Sequence, residues 1–239
     1  MSKITKSTYG FSFIVSLFPV SIIAGEPIQV IGLSSKTPST FVEIVKNPQK
    51  SYEKFNEFII QETLIKRGTL NNGESTKLIV DKSLIERVNM SSFNSTNTVI
   101  SNSAFIRSYL PYASLPDVKI SNSKFQRSIM NNADFSDARI SNSSFERTKS
   151  SSINIEDSTI DYTIFSDSVF SYANLSDSIL NNNIFRDCIC NNIKLVDSNI
   201  ANTVFIDSEL SSTDFSGSEI VNSDFSDATL SYSIFSKSE

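Results

Sequence analysis

Apolar residues recur along most of this chain with a period of five. From Thr98 to Phe235, 27 of the 28 positions whose numbers are multiples of five are apolar, counting Cys190, and Ser150 is the exception. Two positions before each apolar centre stands a small residue, with departures at Val118, Ile153, Asn183 and Ile193. An α-helix would repeat near 3.6 and a simple strand at 2. The pattern therefore predicts a repeat architecture.

A second period, of 20 residues, is carried by phenylalanine. It predicts that four units of five make one coil and that residues 20 apart stack on each other. The phenylalanines in this series are Phe105, Phe125, Phe145, Phe165, Phe185, Phe205 and Phe225.

The five-residue units have the form of a small residue, then Asp, Asn or Ser, then Leu or Phe, then two polar residues. Examples are Ala133–Asp137 (ADFSD), Ala173–Asp177 (ANLSD) and Thr213–Gly217 (TDFSG). Over residues 98–239 the chain resembles the pentapeptide-repeat proteins. The resemblance implies an all-β fold, a right-handed quadrilateral β-helix whose central and small residues point inward. It implies little about function.

The N-terminal residues 1–25 have the layout of a secretory signal. Lys3 and Lys6 form a basic start, residues 11–24 are mostly apolar, and Ala24 and Gly25 offer a cleavage point. The apolar run is short for a transmembrane helix. An uncleaved anchor and a retained, specialised N-terminal segment are the alternatives.

Residues 26–76 are predicted to contain an amphipathic helix, from Pro48 to Lys66, that forms a small helical N-terminal cap on the first coil. A partner-binding role for this helix is the alternative. Residues 77–97 are interpreted as an irregular first coil, because Phe93 and Ser95 reverse the usual order of apolar and small residues. We expect a local distortion there.

The outward positions form columns, and one column changes sign. It holds the candidate partner-binding residues Arg107, Arg127, Arg147, Asp167, Asp187, Asp207 and Asp227. A second column, on the opposite side, carries Asp117, Asp137, Asp157, Asp177 and Asp197. Turn chemistry is one explanation of the aspartates, but it does not explain the change from Arg to Asp. A third column is mostly Asn, from Asn102 to Asn222, and predicts side-chain hydrogen bonds along a ladder.

The net charge of −5 is unevenly distributed. Residues 81–150 contain nine Lys or Arg and six Asp or Glu, whereas residues 151–239 contain three against fourteen. An acidic rod of this kind attracts basic partners and repels nucleic acid.

Enzymatic chemistry has little support in this sequence. The absence of His excludes His-based triads, acid–base catalysis and metal sites, and no phosphate-binding glycine loop occurs. Cys188 and Cys190 occupy inward positions and are expected to be buried thiols. We therefore expect no catalytic residue, no cofactor and no metal.

These features favour a non-enzymatic protein-binding scaffold that is exported, in the periplasm, secreted or at the envelope. The layout resembles secreted bacterial effectors with C-terminal pentapeptide repeats. The alternative is a cytoplasmic DNA mimic that binds a type II topoisomerase through its acidic half, since some members of the family confer quinolone resistance in this way. Neither hypothesis involves direct nucleic acid binding.

The last coil suggests a further interface. Phe225, Leu230 and Phe235 are expected to lie at an uncovered end of the rod, where unpaired strands recruit other strands. We expect a homodimer through this C-terminal coil; a monomer with a frayed last coil is the alternative.

Overall fold

The computed structural model describes residues 28–31, 54–55, 58–62 and 64–239. Its 21 short strands are β1 (Ile28–Ile31), β2 (Lys54–Phe55), β3 (Phe58–Gln61), β4 (Leu64–Lys66), β5 (Glu74–Ser75), β6 (Leu78–Asp81), β7 (Leu84–Glu86), β8 (Asn94–Ser95), β9 (Thr98–Ser101), β10 (Ala104–Ile106), β11 (Lys119–Ser121), β12 (Lys124–Gln126), β13 (Arg139–Ser141), β14 (Ser144–Glu146), β15 (Thr159–Asp161), β16 (Ile164–Ser166), β17 (Ile179–Asn181), β18 (Ile184–Arg186), β19 (Asn199–Ala201), β20 (Val204–Ile206) and β21 (Glu219–Val221).

The strands form a parallel β-helix with four faces. The first face is a ten-stranded sheet running from β1 through β3, β6 and β9 to β21, and the second is an eight-stranded sheet running from β4 through β7 to β20. The third face is a row of parallel bridges from Thr69 to Thr229. The fourth face begins with β2, β5 and β8 and continues as bridges from Asn94 to Ile234.

Neighbouring coils pair with an offset of 20 residues, which explains the longer sequence period. Phe105 pairs with Phe125, and Phe125 with Phe145. On the second face the phenylalanine rings form a continuous stack, with centroids 4.5–5.1 Å apart from Phe105 to Phe225. Ring centroids at this distance lie within the range of favourable aromatic pairs. The apolar centres therefore form one core along the solenoid.

The small inward residues fit the limited space inside the solenoid, and their hydroxyl groups also form hydrogen bonds with backbone N–H and carbonyl groups. The hydroxyl of Ser123 accepts a hydrogen bond from the N–H of Ser103 (3.2 Å) and donates to the carbonyl of Ser121 (2.8 Å). Burial of a hydroxyl is tolerated because its hydrogen bonds are made. Asn183, a departure from the small series, is buried and bonds the N–H of Thr163 and the carbonyl of Ile160.

The predicted β-helical fold class is confirmed, but the helix predicted for residues 48–66 is wrong wherever this segment is described. Residues Lys54–Phe55, Phe58–Gln61 and Leu64–Lys66 are strands, and no helix occurs in the described ranges. The physical reason is register, because Phe58 pairs with Leu78 and Ile65 with Ile85. Over one short segment, the spacing of these inward apolar residues is close to that of one face of an α-helix. Coils therefore occupy part of the region assigned to the cap.

The distortion expected around Phe93 and Ser95 is also not observed. Asn94–Ser95 pairs in register with Glu74–Ser75, and Phe93 is fully buried. The exchange of a large and a small residue is accommodated by Gly73 in the preceding coil, where a Cβ would lie 2.8 Å from the Phe93 ring. The exchange leaves the buried Ser95 hydroxyl without a hydrogen bond.

The signal-like residues 1–25 lie outside the described residues, so their processing stays a prediction. No helix long and apolar enough to span a membrane was found in the described part of the chain.

Candidate functional site

The column that changes sign lies along the corner between the second and third faces, and we call it the charge-switched corner. All of its members are exposed. The structure extends it beyond the predicted residues by two arginines, so that five arginines precede four aspartates. From one end to the other it contains Arg67, Arg87, Arg107, Arg127, Arg147, Asp167, Asp187, Asp207 and Asp227.

Every residue of this corner has a left-handed backbone, and the turn is held by main-chain hydrogen bonds. Arg127 has φ 53° and Asp187 has φ 52°. The N–H of Arg127 donates to the carbonyl of Glu146 (2.8 Å), and that of Asp187 to the carbonyl of Ile206 (3.1 Å). Arg and Asp thus form the same turn, and the turn does not select the charge.

Side-chain hydrogen bonding to the turn does not account for the corner aspartates either. Within the described ranges, none of the carboxylates of Asp167, Asp187, Asp207 and Asp227 accepts a hydrogen bond from the turn. The aspartates that do so lie at a different position of the repeat, as where Asp134 accepts the N–H of Ser136 at 3.1 Å. The corner carboxylates are therefore available to an external partner.

The ion pairs near this corner are few. Arg147 Nε lies 4.0 Å from Asp167 Oδ2, which joins the basic and acidic parts of the corner. Arg87 Nε lies 3.9 Å from Glu86 Oε1. In the part of the chain that the structure describes, Arg107 and Arg127 have no such pair. The coils that carry them lie one strand spacing, about 4.8 Å, apart, so like charges are neighbours along the corner.

A more compact ion pair occupies the second face beside the corner. Lys124 Nζ lies 2.7 Å from Glu146 Oε2, and Gln126 Nε2 donates to the same oxygen (2.9 Å). The hydrogen bonds from Lys124 and Gln126 hold the pKa of Glu146 below its usual value. Glu146 is thereby paired mainly within its own face, although the charge of Arg147 also contributes to lowering its pKa.

The other corners differ in chemistry. The acidic corner, between the fourth and first faces, carries the predicted column Asp117 to Asp197. The neutral corner, between the third and fourth faces, carries Tyr112, Asn132, Ser152, Tyr172, Asn192, Ser212 and Tyr232. On the remaining corner, the predicted Asn ladder is wrong in detail, because Asn102 and Asn182 donate to Asp81 and Asp161 of the preceding coil.

Two surface features were missed by the sequence analysis. Arg67 and Arg87 could have been found by continuing the 20-residue period towards the N-terminus. The second is an outward apolar row on the second face, formed by Ile164, Ile184 and Val204, which pair with one another across β16, β18 and β20. Its signal was an apolar residue just before the apolar centre in three successive coils.

The candidate dimer end is partly accessible. Phe225 and Leu230 pack against the core while half-buried, and Phe235 is 45% exposed. Phe235 stacks on Phe215 with ring centroids 4.7 Å apart. Whether this coil binds a second copy stays a prediction.

The two cysteines lie inside the solenoid, as predicted. Cys188 donates through Sγ to the carbonyl of Phe165 (3.4 Å), and a hydrogen bond with Cys188, together with burial, raises the pKa of Cys190. No group of three or more Asp, Glu, His or Cys suited to a metal ion occurs among the described residues.

A parallel β-helix with 20-residue coils defines a class of repeat solenoids. A sequence profile described as Pentapeptide repeats matches eight copies, over residues 113–149, 163–202 and 208–239. The matched residues therefore have the repeats of the pentapeptide-repeat family.

Solved structures of similar fold include two members of this family with low sequence identity. HetL, involved in heterocyst differentiation regulation in the cyanobacterium Nostoc, is 13% identical, with 74% of this chain and 89% of that chain covered and a TM-score of 0.44. QnrB1, a plasmid-mediated fluoroquinolone resistance protein, is 13% identical, with 77% and 92% covered and a TM-score of 0.37. No curated protein sequence matches significantly.

Proposed function

We propose that this chain is a non-enzymatic scaffold that binds another protein through the charge-switched corner. The observation that carries the proposal is the exposure of a long row of charges that the local fold does not require. Arg is a poor choice for a left-handed turn, a conformation that costs roughly 1–2 kcal/mol for most residues. Stacked like charges add a repulsion of about 0.9 kcal/mol per neighbouring pair in water. A binding role explains why these charges are kept.

The chemistry of the corner suits a partner with both signs of charge. Arginine donates paired hydrogen bonds to carboxylates, whereas the aspartates accept from Lys or Arg. The fold contributes rigidity, since each corner residue except Asp227 of the last coil is fixed by a main-chain hydrogen bond to the next coil. A rigid row of charges reduces the entropy lost on binding.

Site-specific photo-crosslinking tests this proposal. A photoreactive amino acid is placed at Arg107 or Asp207 on the charge-switched corner, and at Asn132 or Ser212 on the neutral corner as the matched control. Irradiation in the native host is expected to give protein adducts from the charge-switched corner alone. Equal yields from both corners, or none from either, would refute this assignment of the binding surface.

Export of the protein is the second part of the proposal. It is supported by the basic start, apolar run and small residues of segment 1–25. N-terminal sequencing of protein purified from the native host is expected to give a mature chain that begins near Glu26. Recovery of intact Met1 from the cytoplasm would exclude export by cleavage of a signal.

The alternative is a DNA mimic that binds a type II topoisomerase. The observation in its favour is the acidic half, with fourteen Asp or Glu against three Lys or Arg in residues 151–239. A topoisomerase supercoiling assay distinguishes the two functions. Inhibition by the wild-type chain that is lost in Asp187→Lys and Asp207→Lys, but retained in Asn192→Lys, would support the mimic.

A further inference from the structure

We infer that the charge-switched corner is self-complementary, and that two copies of this chain pair along it side by side and antiparallel. The inference rests on the proposed function and names a second copy as a partner of the same corner. It starts from the order of the charges. Arg87, Arg107, Arg127 and Arg147 are followed, coil by coil, by Asp167, Asp187, Asp207 and Asp227.

A two-fold axis between the coils of Arg147 and Asp167, perpendicular to the solenoid, reverses this order. Two-fold pairs are the commonest assemblies, and in them the same patch is used by both copies. All four aspartates of one copy then face arginines of the other. The facing pairs are Arg147 with Asp167, Arg127 with Asp187, Arg107 with Asp207, and Arg87 with Asp227.

The spacing between successive charges is the same in the two copies, because both copies have the same fold. Both rows follow coils of the same solenoid, one strand spacing of about 4.8 Å apart. Successive pairs therefore stay in register along the whole corner. A partner of another fold would meet this row at one or two positions unless its charges had the same repeat.

The charges also select a single register. A shift of one coil in one direction places Arg147 opposite Arg147 of the second copy, and a shift in the other direction places Asp167 opposite Asp167. Both alternatives bring like charges together at the centre of the contact, which disfavours them. Only the unshifted register avoids like-charge contacts along the corner.

The columns that flank the corner agree with this register. The same two-fold axis brings the second face of one copy towards the second face of the other, and the third face towards the third. No like charges face each other there, and two of the pairs are apolar on both sides, although Val169 faces Lys149. The facing residues are Ile106 with Ile206, Gln126 with Arg186, Tyr109 with Glu209, and Ile129 with Ile189.

The isolated chain leaves most of these charges without an opposite partner. Arg147 and Asp167 form its one ion pair between corner residues in the described ranges, at 4.0 Å. Pairing would add an attractive charge opposite each corner residue from Arg87 to Asp227, which offsets the repulsion between its neighbours in the same chain. Exposed ion pairs are individually weak, so we expect an association that depends on the whole row and on ionic strength.

Charge exchange between copies tests the inference. Variant one carries Arg107→Asp and Arg127→Asp, and variant two carries Asp187→Arg and Asp207→Arg. Each alone should bring like charges together and weaken the dimer by more than about tenfold in Kd. An equimolar mixture should restore dimers, because every altered residue then faces an opposite charge. The substituted residues already occur in this corner in other coils, so the fold should tolerate them.

Sedimentation velocity at tens of micromolar protein measures the outcome, with circular dichroism to confirm folding. The control variant carries Lys119→Asp and Arg139→Asp, the same change in net charge on the first face, and should dimerise like the wild type. Salt should dissociate the wild-type dimer between about 0.01 M and about 1 M, where the screening length falls from about 30 Å to about 3 Å.

A wild-type chain that is monomeric at low salt would overturn the inference, as would a mixture of the variants that does not associate. Either result leaves the proposed function standing, because adducts with a different protein from Arg107 or Asp207 would still identify a partner. Conversely, adducts with the mass of two chains would support self-pairing alone.

Discussion

Phe165 is the residue on which the aromatic contacts of the core converge. Its ring stacks on Phe145 and Phe185, with centroids 5.1 and 4.5 Å away, and Phe170 approaches edge-on at 5.1 Å. Phe165→Ala should therefore lower the free energy of unfolding by about 3–5 kcal/mol, as for other buried phenylalanines. Chemical denaturation followed by circular dichroism measures the loss.

Asp187→Asn is the matched surface change, one coil along and on the outside. It should alter the free energy of unfolding by no more than about 0.5 kcal/mol, because Asn fits the left-handed turn and removes a like-charge neighbour. Equal losses from the two substitutions would contradict the inward and outward assignment of these positions.

Gly73 provides the space that Phe93 needs, because Phe93 occupies an inward position that holds a small residue in most other coils. A methyl group at Gly73 would lie 2.8 Å from the Phe93 ring. Gly73→Ala should cost about 1–3 kcal/mol through overpacking, and a second substitution, Phe93→Leu, should recover part of that loss. Gly68→Ala is the control, since its nearest neighbour would be Ile65 at 3.5 Å. Similar unfolding free energies for Gly68→Ala and Gly73→Ala would argue against this packing.

The corner turn has a backbone conformation that does not depend on which outward side chain it carries. The turn has the same left-handed backbone with Arg, Asp, Asn, Ser, Tyr, Lys or Glu, at φ values between 46° and 63° for its non-Gly residues. Main-chain bonds to the next coil hold it in every coil but the last. The outward side chain is therefore free to vary without loss of the turn, while the inward pair is constrained by packing.

Arg127→Asn tests whether the corner arginines are retained against stability. Asn adopts the left-handed conformation more readily than Arg, so the substitution should stabilise the fold by up to about 1 kcal/mol. Asn122→Arg, in the same coil at φ 49°, is the reciprocal change and should destabilise it. Thermal and denaturant unfolding of both variants give the comparison. A loss of stability in Arg127→Asn would mean that the arginine supports the turn.

The extent to which the sequence predicted these elements depended on repetition. From Thr98 onward the periods of five and 20 specified each inward position, and the structure buries these positions as far as Ser218, including the thiols of Cys188 and Cys190. In residues 54–66 too few units remained to separate a period of five from helical spacing. Coil pairing with Leu78 and Ile85, which decides the outcome there, is not visible in a local pattern.

The candidate site was predicted in part for a related reason. The change from Arg147 to Asp167 could be found because both lie within the regular repeat. The sequence could not decide whether the turn used the aspartate side chains, because Asp suits turns in general. Only the geometry shows that main-chain bonds hold the corner and that its carboxylates are left exposed.

At the scale of the whole molecule, charge is arranged along the solenoid and not only around it. The described chain passes from a basic part, with nine Lys or Arg against six Asp or Glu in residues 81–150, to the strongly acidic residues 151–239. Antiparallel pairing through the charge-switched corner brings unlike parts together. End-to-end pairing through the coil of Phe225, Leu230 and Phe235 would instead bring two acidic parts together.

The affinities of these two modes of association should change in opposite directions as the salt concentration rises. Contact through Phe235, whose ring is 45% exposed, is apolar and opposed by long-range repulsion, so an end-to-end dimer should strengthen as salt screens that repulsion. Phe235→Glu should abolish it and leave corner pairing unchanged. Sedimentation of the wild type and this variant, across the same salt series, assigns any dimer to one mode. A dimer that weakens with salt and survives Phe235→Glu cannot be held by the last coil.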